Sequence, residues 1–129
     1  MHRDDYRERK RTAMRLVIIE SPFAHDKNDA VARHRVWRYV RVAMRDCLMR
    51  GEAPFASHAL YTQEGVLSDW DPSERALGIA AGFAWGEVAA LRAFYIDIGR
   101  TSGMLKGIEE AKRLGQPYEE RTIPGWEEL

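Results

Sequence analysis

His58 and Tyr61 stand three residues apart, and an imidazole near a phenol can hydrogen-bond a heterocycle or a sugar, or exchange protons. Asp97 and Glu20 each follow a run of apolar residues, which places a carboxylate at the end of a buried strand. A carboxylate there can act as a base or activate water. Gly99-Arg100-Thr101-Ser102-Gly103-Met104 combines two glycines, which permit close backbone approach, with a serine able to cap the next helix. The free amides of a helix start suit a phosphate or a sugar hydroxyl. Ser21-Pro22-Phe23 and His25 complete the set. Each group also has a plainer use: Asp97 as a loop brace, Ser102 as an ordinary cap, His58 as a structural strand-end residue. His25 and His34 have no carboxylate or cysteine at ligand spacing, so neither a metal nor another cofactor is expected. No Ser-His-Asp arrangement is defensible for Ser21 or Ser57.

These residues need elements to position them. Arg15-Leu16-Val17-Ile18-Ile19-Glu20 reads as a strand buried on both faces. Residues 29–50 carry a helical stripe of Val36, Val40, Ala43, Met44, Cys47 and Leu48, with Gly51 suited to end it. A short strand is expected over 53–57, then an irregular connection with at most one helical turn to Trp70. Asp71-Pro72-Ser73-Glu74 is a helix start: Asp71 caps, Pro72 fills the first position and Glu74 reaches back. That helix should run to about Leu91, with Leu77, Ala80, Ala81, Ala84, Val88 and Leu91 as apolar contacts. Gly78, Gly82 and Gly86 recur every four residues on it and imply close packing. A strand over 93–98, a helix over 104–114 closed by Gly115, and a last strand over 118–123 follow. The alternation predicts a small doubly wound α/β domain over 15–123, with a parallel sheet of four to five strands and helices on both faces. Residues 1–14 read as a charged arm and 124–129 as a tail. Ligands of such sheets sit beyond the carboxyl ends of the strands, where the candidate residues above cluster.

The 129 residues hold 20 basic and 20 acidic side chains, so the formal net charge is zero. The balance disfavours a nucleic-acid binder. It is uneven, however: residues 1–51 hold 13 basic and 7 acidic side chains, and the remainder hold 7 and 13. Basic and acidic faces of different subunits could meet, making a homo-oligomer, and such contacts would weaken with salt. One cysteine, Cys47, excludes an internal disulfide. No apolar run approaches the roughly 18 residues of a membrane span, and no signal segment opens the chain, so a cytoplasmic protein is expected.

Over roughly 15–121 the sequence resembles the nucleoside 2-deoxyribosyltransferase-like superfamily, in particular its small bacterial and phage relatives. The matching features are Ser21-Pro22-Phe23, the run Gly51-x-Ala53-Pro54-Phe55-x-x-His58-x-x-Tyr61-Thr62, Arg75-x-x-Gly78, Phe94-Tyr95-Ile96-Asp97, and Ser102-Gly103-Met104-x-x-Gly107-Ile108-x-x-Ala111-x-x-x-Gly115. The resemblance implies a flavodoxin-like sheet, a nucleoside or nucleotide pocket at the strand ends, and homo-oligomers. It also implies a glutamate nucleophile at position 107 and a sugar-holding aspartate at position 101. Here those positions are Gly107 and Thr101. The loop carries over; the acids do not.

Three functions compete. The first is a nucleoside- or nucleotide-binding protein without the usual nucleophile, holding its ligand through Ser21, Pro22, Phe23, His58, Tyr61, Arg100, Thr101, Ser102, Gly103 and Met104. The second is an enzyme acting on the N-glycosidic bond, by transfer or hydrolysis, with Asp97 or Glu20 as the acid/base. The third is an oligomeric interaction protein.

Overall fold

A computed structural model describes residues 14–129. The expected N-terminal arm lies outside the described residues apart from Met14, which is exposed. Strand β1 spans Arg15–Glu20. Side chains alternate across a strand, so Val17 and Ile19 enter one core while Glu20 reaches the opposite face. Helix α1 spans Ala30–Met49 and starts where the Asp29 carboxylate accepts from the Ala32 amide at 3.0 Å. It buries Val36, Tyr39, Val40, Ala43 and Cys47, most of the expected stripe. Gly51 (φ 79°) turns the chain into strand β2, Glu52–Phe55. The strand does not reach Ser57, which instead opens the one-turn helix α2, Ser57–Leu60.

Helix α3 spans Pro72–Gly86. Asp71 caps it, accepting from the Ser73 and Glu74 amides at 2.9 and 3.2 Å. Glu74 does not reach back to the cap; its Oε1 accepts from the Ser68 amide at 3.3 Å and ties down the preceding loop. The helix stops before Leu91, and strand β3 occupies Leu91–Tyr95 rather than 93–98. The sheet decides this boundary: Leu91 is drawn into register with Val17, and Arg92 with Ile18. Helix α4 spans Ser102–Leu114, Gly115 (φ 64°) ends it, and strand β4 covers Tyr118–Arg121.

The described strands form one parallel sheet of four, ordered β2-β1-β3-β4. The chain leaves β1 toward β2, then crosses to the other side of β1 to enter β3. The β1/β3 junction is therefore the topological switch point of a small doubly wound, flavodoxin-like fold. Helix α1 covers one face, over Val17, Ile19, Ala93 and Tyr95. The other face carries Glu20, Arg92 and Phe94, against Gly86 of α3 and Gly107 of α4.

The glycine ridge of α3 is its packing face. A Cβ at Gly82 would lie 2.5 Å from Ser57 Oγ, and one at Gly86 would lie 2.0 Å from an Arg92 guanidinium nitrogen. Leu77, Ala80, Ala84 and Val88, expected to pack inward, are exposed instead. The helix approaches through its backbone, so these side chains point away, while Ala81 and Phe83 are half-buried.

Two ionic systems hold the frame. Beneath α1, Arg121 donates to Glu52 at 2.7 and 2.8 Å and to Tyr95 Oη at 3.1 Å, joining the two edge strands. Arg15 adds a 2.8 Å bond to the same carboxylate. On the outer side of α1, Arg38 donates to the carbonyls of Glu127 and Leu129, and Arg35 pairs with Glu127 at 3.5 Å. Trp126, within the expected tail, is buried edge-on to Tyr39 at 4.9 Å. Part of the basic face of the first half thus meets the acidic second half within one chain.

Candidate functional site

The switch point holds a cavity of about 170 Å³. Its floor is the end of β1, at Glu20, Ser21 and Phe23. One wall comes from Ser57, His58 and Tyr61 of α2 and its C-cap. A second comes from the Gly78–Phe83 stretch of α3, and a third from Thr101 to Met104 with Lys106 of α4. The sequence therefore places nine candidates together here: Glu20, Ser21, Phe23, His58, Tyr61, Thr101, Ser102, Gly103 and Met104. A wider cleft of about 680 Å³ adjoins it, sharing Phe23, Leu67 and Asp69 and adding His25, Lys27, Arg33, Trp37 and Trp70.

Three candidates lie elsewhere. Pro22 is buried behind the floor and does not line the cavity. Arg100 is exposed and pairs with Glu120 on β4. Asp97 sits beyond the end of β3, where its carboxylate accepts from the Tyr39 hydroxyl at 2.6 Å and from the Ile123 amide at 3.0 and 3.1 Å. The Tyr39 hydroxyl in turn accepts from the Asp97 amide at 2.8 Å. Those bonds brace α1 and the segment after β4, and Asp97 does not line the cavity. Burial and the Asp97 carboxylate raise the Tyr39 pKa, so the phenol stays protonated and donating.

Within the cavity, Ser21 Oγ and His58 Nε2 are hydrogen-bonded at 2.8 Å. Phe23 meets the His58 ring edge-on, with centroids 5.0 Å apart. Burial pushes His58 down to about 4, so at neutral pH it is an uncharged imidazole held by Ser21 and Phe23. Tyr61 is fixed from outside: its hydroxyl accepts from Trp85 Nε1 at 2.9 Å and its ring lies edge-on to Phe55. Helix α4 begins with Thr101 as its cap, not Ser102; the Thr101 hydroxyl accepts from the Met104 amide at 3.3 Å. Ser102 and Gly103 are then the first two helical residues, whose amides have no partner inside the helix.

Glu20 is the carboxylate on the floor. Its Oε1 accepts from Arg92 Nη1 at 3.3 Å, and its side chain keeps 20% of its accessible surface. Burial raises its pKa to about 7, against the lowering effect of the Arg92 charge and hydrogen bond. Position 107, where the resemblance implies a glutamate, is occupied by glycine; a Cβ there would lie 3.2 Å from Glu20 Oε1. The Glu20 carboxylate fills the room that a side chain at 107 would need. Arg92 escaped the sequence reading because its partners, Glu20 and Gln116, lie 72 and 24 residues away. Asp69 and Lys106 also escaped; they lie in a loop and the second turn of α4, with no local motif to mark them, whereas Arg75, part of the Arg75-x-x-Gly78 match, lines the cavity from α3.

Among the described residues, no three His, Cys, Asp or Glu side chains gather as metal ligands, and no helix is long and apolar enough to cross a membrane. Cys47 is buried 3.3 Å from Tyr95 Oη, and burial raises its thiol pKa.

The sequence matches the family model described as Domain of unknown function (DUF7768) over residues 15–121. No curated protein matches it. The fold is similar to the solved structure of a 2-deoxyribosyltransferase from the psychrotolerant bacterium Bacillus psychrosaccharolyticus, with a TM-score of 0.63. The two share 15% identity over 85% of this chain and 74% of that one, a likeness of fold.

Proposed function

The chain belongs to the DUF7768 family, and from the geometry of its strand-end cavity we propose that it binds a nucleoside or nucleotide there. One observation carries the reading: at the switch point of the sheet, aromatic side chains and an open helix start face each other across a single cavity. Phe23, Tyr61 and Phe83 offer apolar surface to a base. Ser102 and Gly103 offer amides to a sugar hydroxyl or phosphate, with Arg75 and Lys106 as nearby cations. The fold's likeness to a 2-deoxyribosyltransferase, described as a biocatalyst for the industrial synthesis of nucleosides, supports the same ligand class. The neighbouring cleft leaves room for further phosphates or a second moiety.

The test is a panel of nucleosides and their phosphates scored by thermal shift, with mass spectrometry of the denatured protein for a co-purified ligand. At least one member of the panel should raise the melting temperature, and Ser102→Pro, which removes one of the two free amides, should weaken that shift. An empty protein whose melting temperature no nucleoside or nucleotide moves would overturn the reading. The acids implied at 101 and 107 are absent, so the binding reading does not depend on the transferase nucleophile. A second reading, an enzyme acting on the N-glycosidic bond, is favoured by the Glu20 carboxylate on the cavity floor.

A further inference from the structure

No carboxylate that lines the cavity comes from α4. Three carboxylates line the cavity: Glu20, Asp69 and Glu74. Glu74 accepts from the Ser68 amide and serves the loop. Asp69 belongs to that loop, on the side shared with the outer cleft. Glu20 alone rises from the sheet, at the end of β1 and beside the Phe94 ring, in a space that Gly107 leaves open. A rigid strand end positions a reacting group better than a loop does.

We infer that Glu20 is the catalytic base of an N-glycosidic hydrolysis in this cavity, an inference that rests on the nucleoside-binding reading above. The Glu20 carboxylate accepts a proton from a water molecule as that water's oxygen bonds to the anomeric carbon. The bond from that carbon to the base nitrogen breaks, and its electron pair leaves with the base. Glu20 then passes the proton to the departed nitrogen. One water is consumed, the products are a free base and a sugar with an anomeric hydroxyl, and the carboxylate is restored. Arg92 is the positioning residue: at 1% exposure beneath Glu20, it keeps a cation against Oε1 and directs the carboxylate upward. The other charged or titratable groups around the cavity are His58, Tyr61, Asp69, Glu74, Arg75 and Lys106. The pKa of about 7 suits a base that must take a proton and return it within one turnover.

The experiment incubates the full chain with the 2′-deoxyribonucleosides of the four DNA bases and their 5′-monophosphates. Free base is measured by chromatography and binding by thermal shift on the same samples. Wild type should release base from at least one substrate, with kcat/KM rising with pH through about 7 as Glu20 ionises. Glu20→Gln, of the same shape but unable to take a proton, should keep the thermal shift and lose about 100-fold or more of the rate. Gly107→Ala, whose Cβ would stand 3.2 Å from Oε1, should slow release by displacing the carboxylate, which tests the placement independently. Ligand binding without base release from any substrate overturns the catalytic inference and leaves the binding reading intact. Release by Glu20→Gln at the wild-type rate also overturns it. No thermal shift and no release overturns both.

Discussion

Gly86 and Arg92 show how one missing Cβ organises the face beneath the site. The Arg92 guanidinium is buried and donates to Gln116 Oε1 at 2.7 Å and to Glu20 at 3.3 Å. Its remaining nitrogen, Nη2, has no hydrogen-bond partner and lies 2.0 Å from where a Gly86 Cβ would stand. Gly86→Ala must therefore push either the end of α3 or the guanidinium aside. It should cost about 1–3 kcal/mol, the usual range for overpacking, although alanine is the better helix former. Gly103→Ala is the matched control. Its Cβ would meet nothing nearer than 3.8 Å, so urea denaturation should find it neutral or slightly stabilised. Equal losses for the two variants would show that Gly86 is not a packing requirement. The spacing of Gly78, Gly82 and Gly86 was legible in the sequence as a demand for close approach. What approaches was not: Ser57 and Arg92 come from other elements, and nothing local to the glycines names them.

At the scale of elements, local chemistry announces starts and stops, and the sheet overrules it where the two compete. Asp71, Gly51 and Gly115 do at their helix ends what their side chains or backbone freedom dictate, so those boundaries could be read directly. The exit from α3 could not. Residues 87–91 continue a helical apolar pattern, but the backbone amide of Ala90 donates to the Leu16 carbonyl at 2.8 Å and Leu91 pairs with Val17. The start of α4 offered two adjacent hydroxyls, and the capping role fell to Thr101 rather than Ser102. The capping bond makes a sharp expectation. Thr101→Ala should destabilise the chain by about 1 kcal/mol, while Ser102→Ala, one position inside the helix, should leave stability nearly unchanged. Thermal or urea melts of the two single variants check it; the reverse ranking would return the cap to Ser102. The choice matters to the site, because a Ser102 freed from capping can turn its hydroxyl and amide to a ligand.

For the whole molecule, three carboxyl and imidazole groups set how stability follows pH, and their signs differ. Glu52 ties the edge strands together through Arg121, whose hydrogen bonds, aided by Arg15, hold its pKa down to about 2. A depressed acid stabilises the fold above its unfolded pKa of 4.5, and that contribution drains away as pH falls toward 2. His58, pushed by burial from 6.5 to about 4, acts in the same direction, its share lost as pH falls from 6.5. Glu20 works the other way. Its folded pKa of about 7 exceeds its ordinary 4.5, so its contribution is complete below 4.5 and is lost as pH rises through 7. Between about 4.5 and 6.5 the Glu20 and His58 effects oppose each other, each with a slope of up to ~1.4 kcal/mol per pH unit. Wild-type stability should thus vary little across that window and fall below it, where Glu52 takes up its proton. Glu20→Gln removes one opponent, and its stability should instead climb with pH between 4.5 and 6.5 as His58 loses its proton in the unfolded chain. Glu52→Gln should lower stability at neutral pH and flatten the acid limb. Urea midpoints of the three proteins, from about pH 3 to about pH 8, separate these effects. A Glu20→Gln curve parallel to wild type would mean that Glu20 carries no raised pKa in the fold, and would remove its fitness as a base at the floor of the cavity.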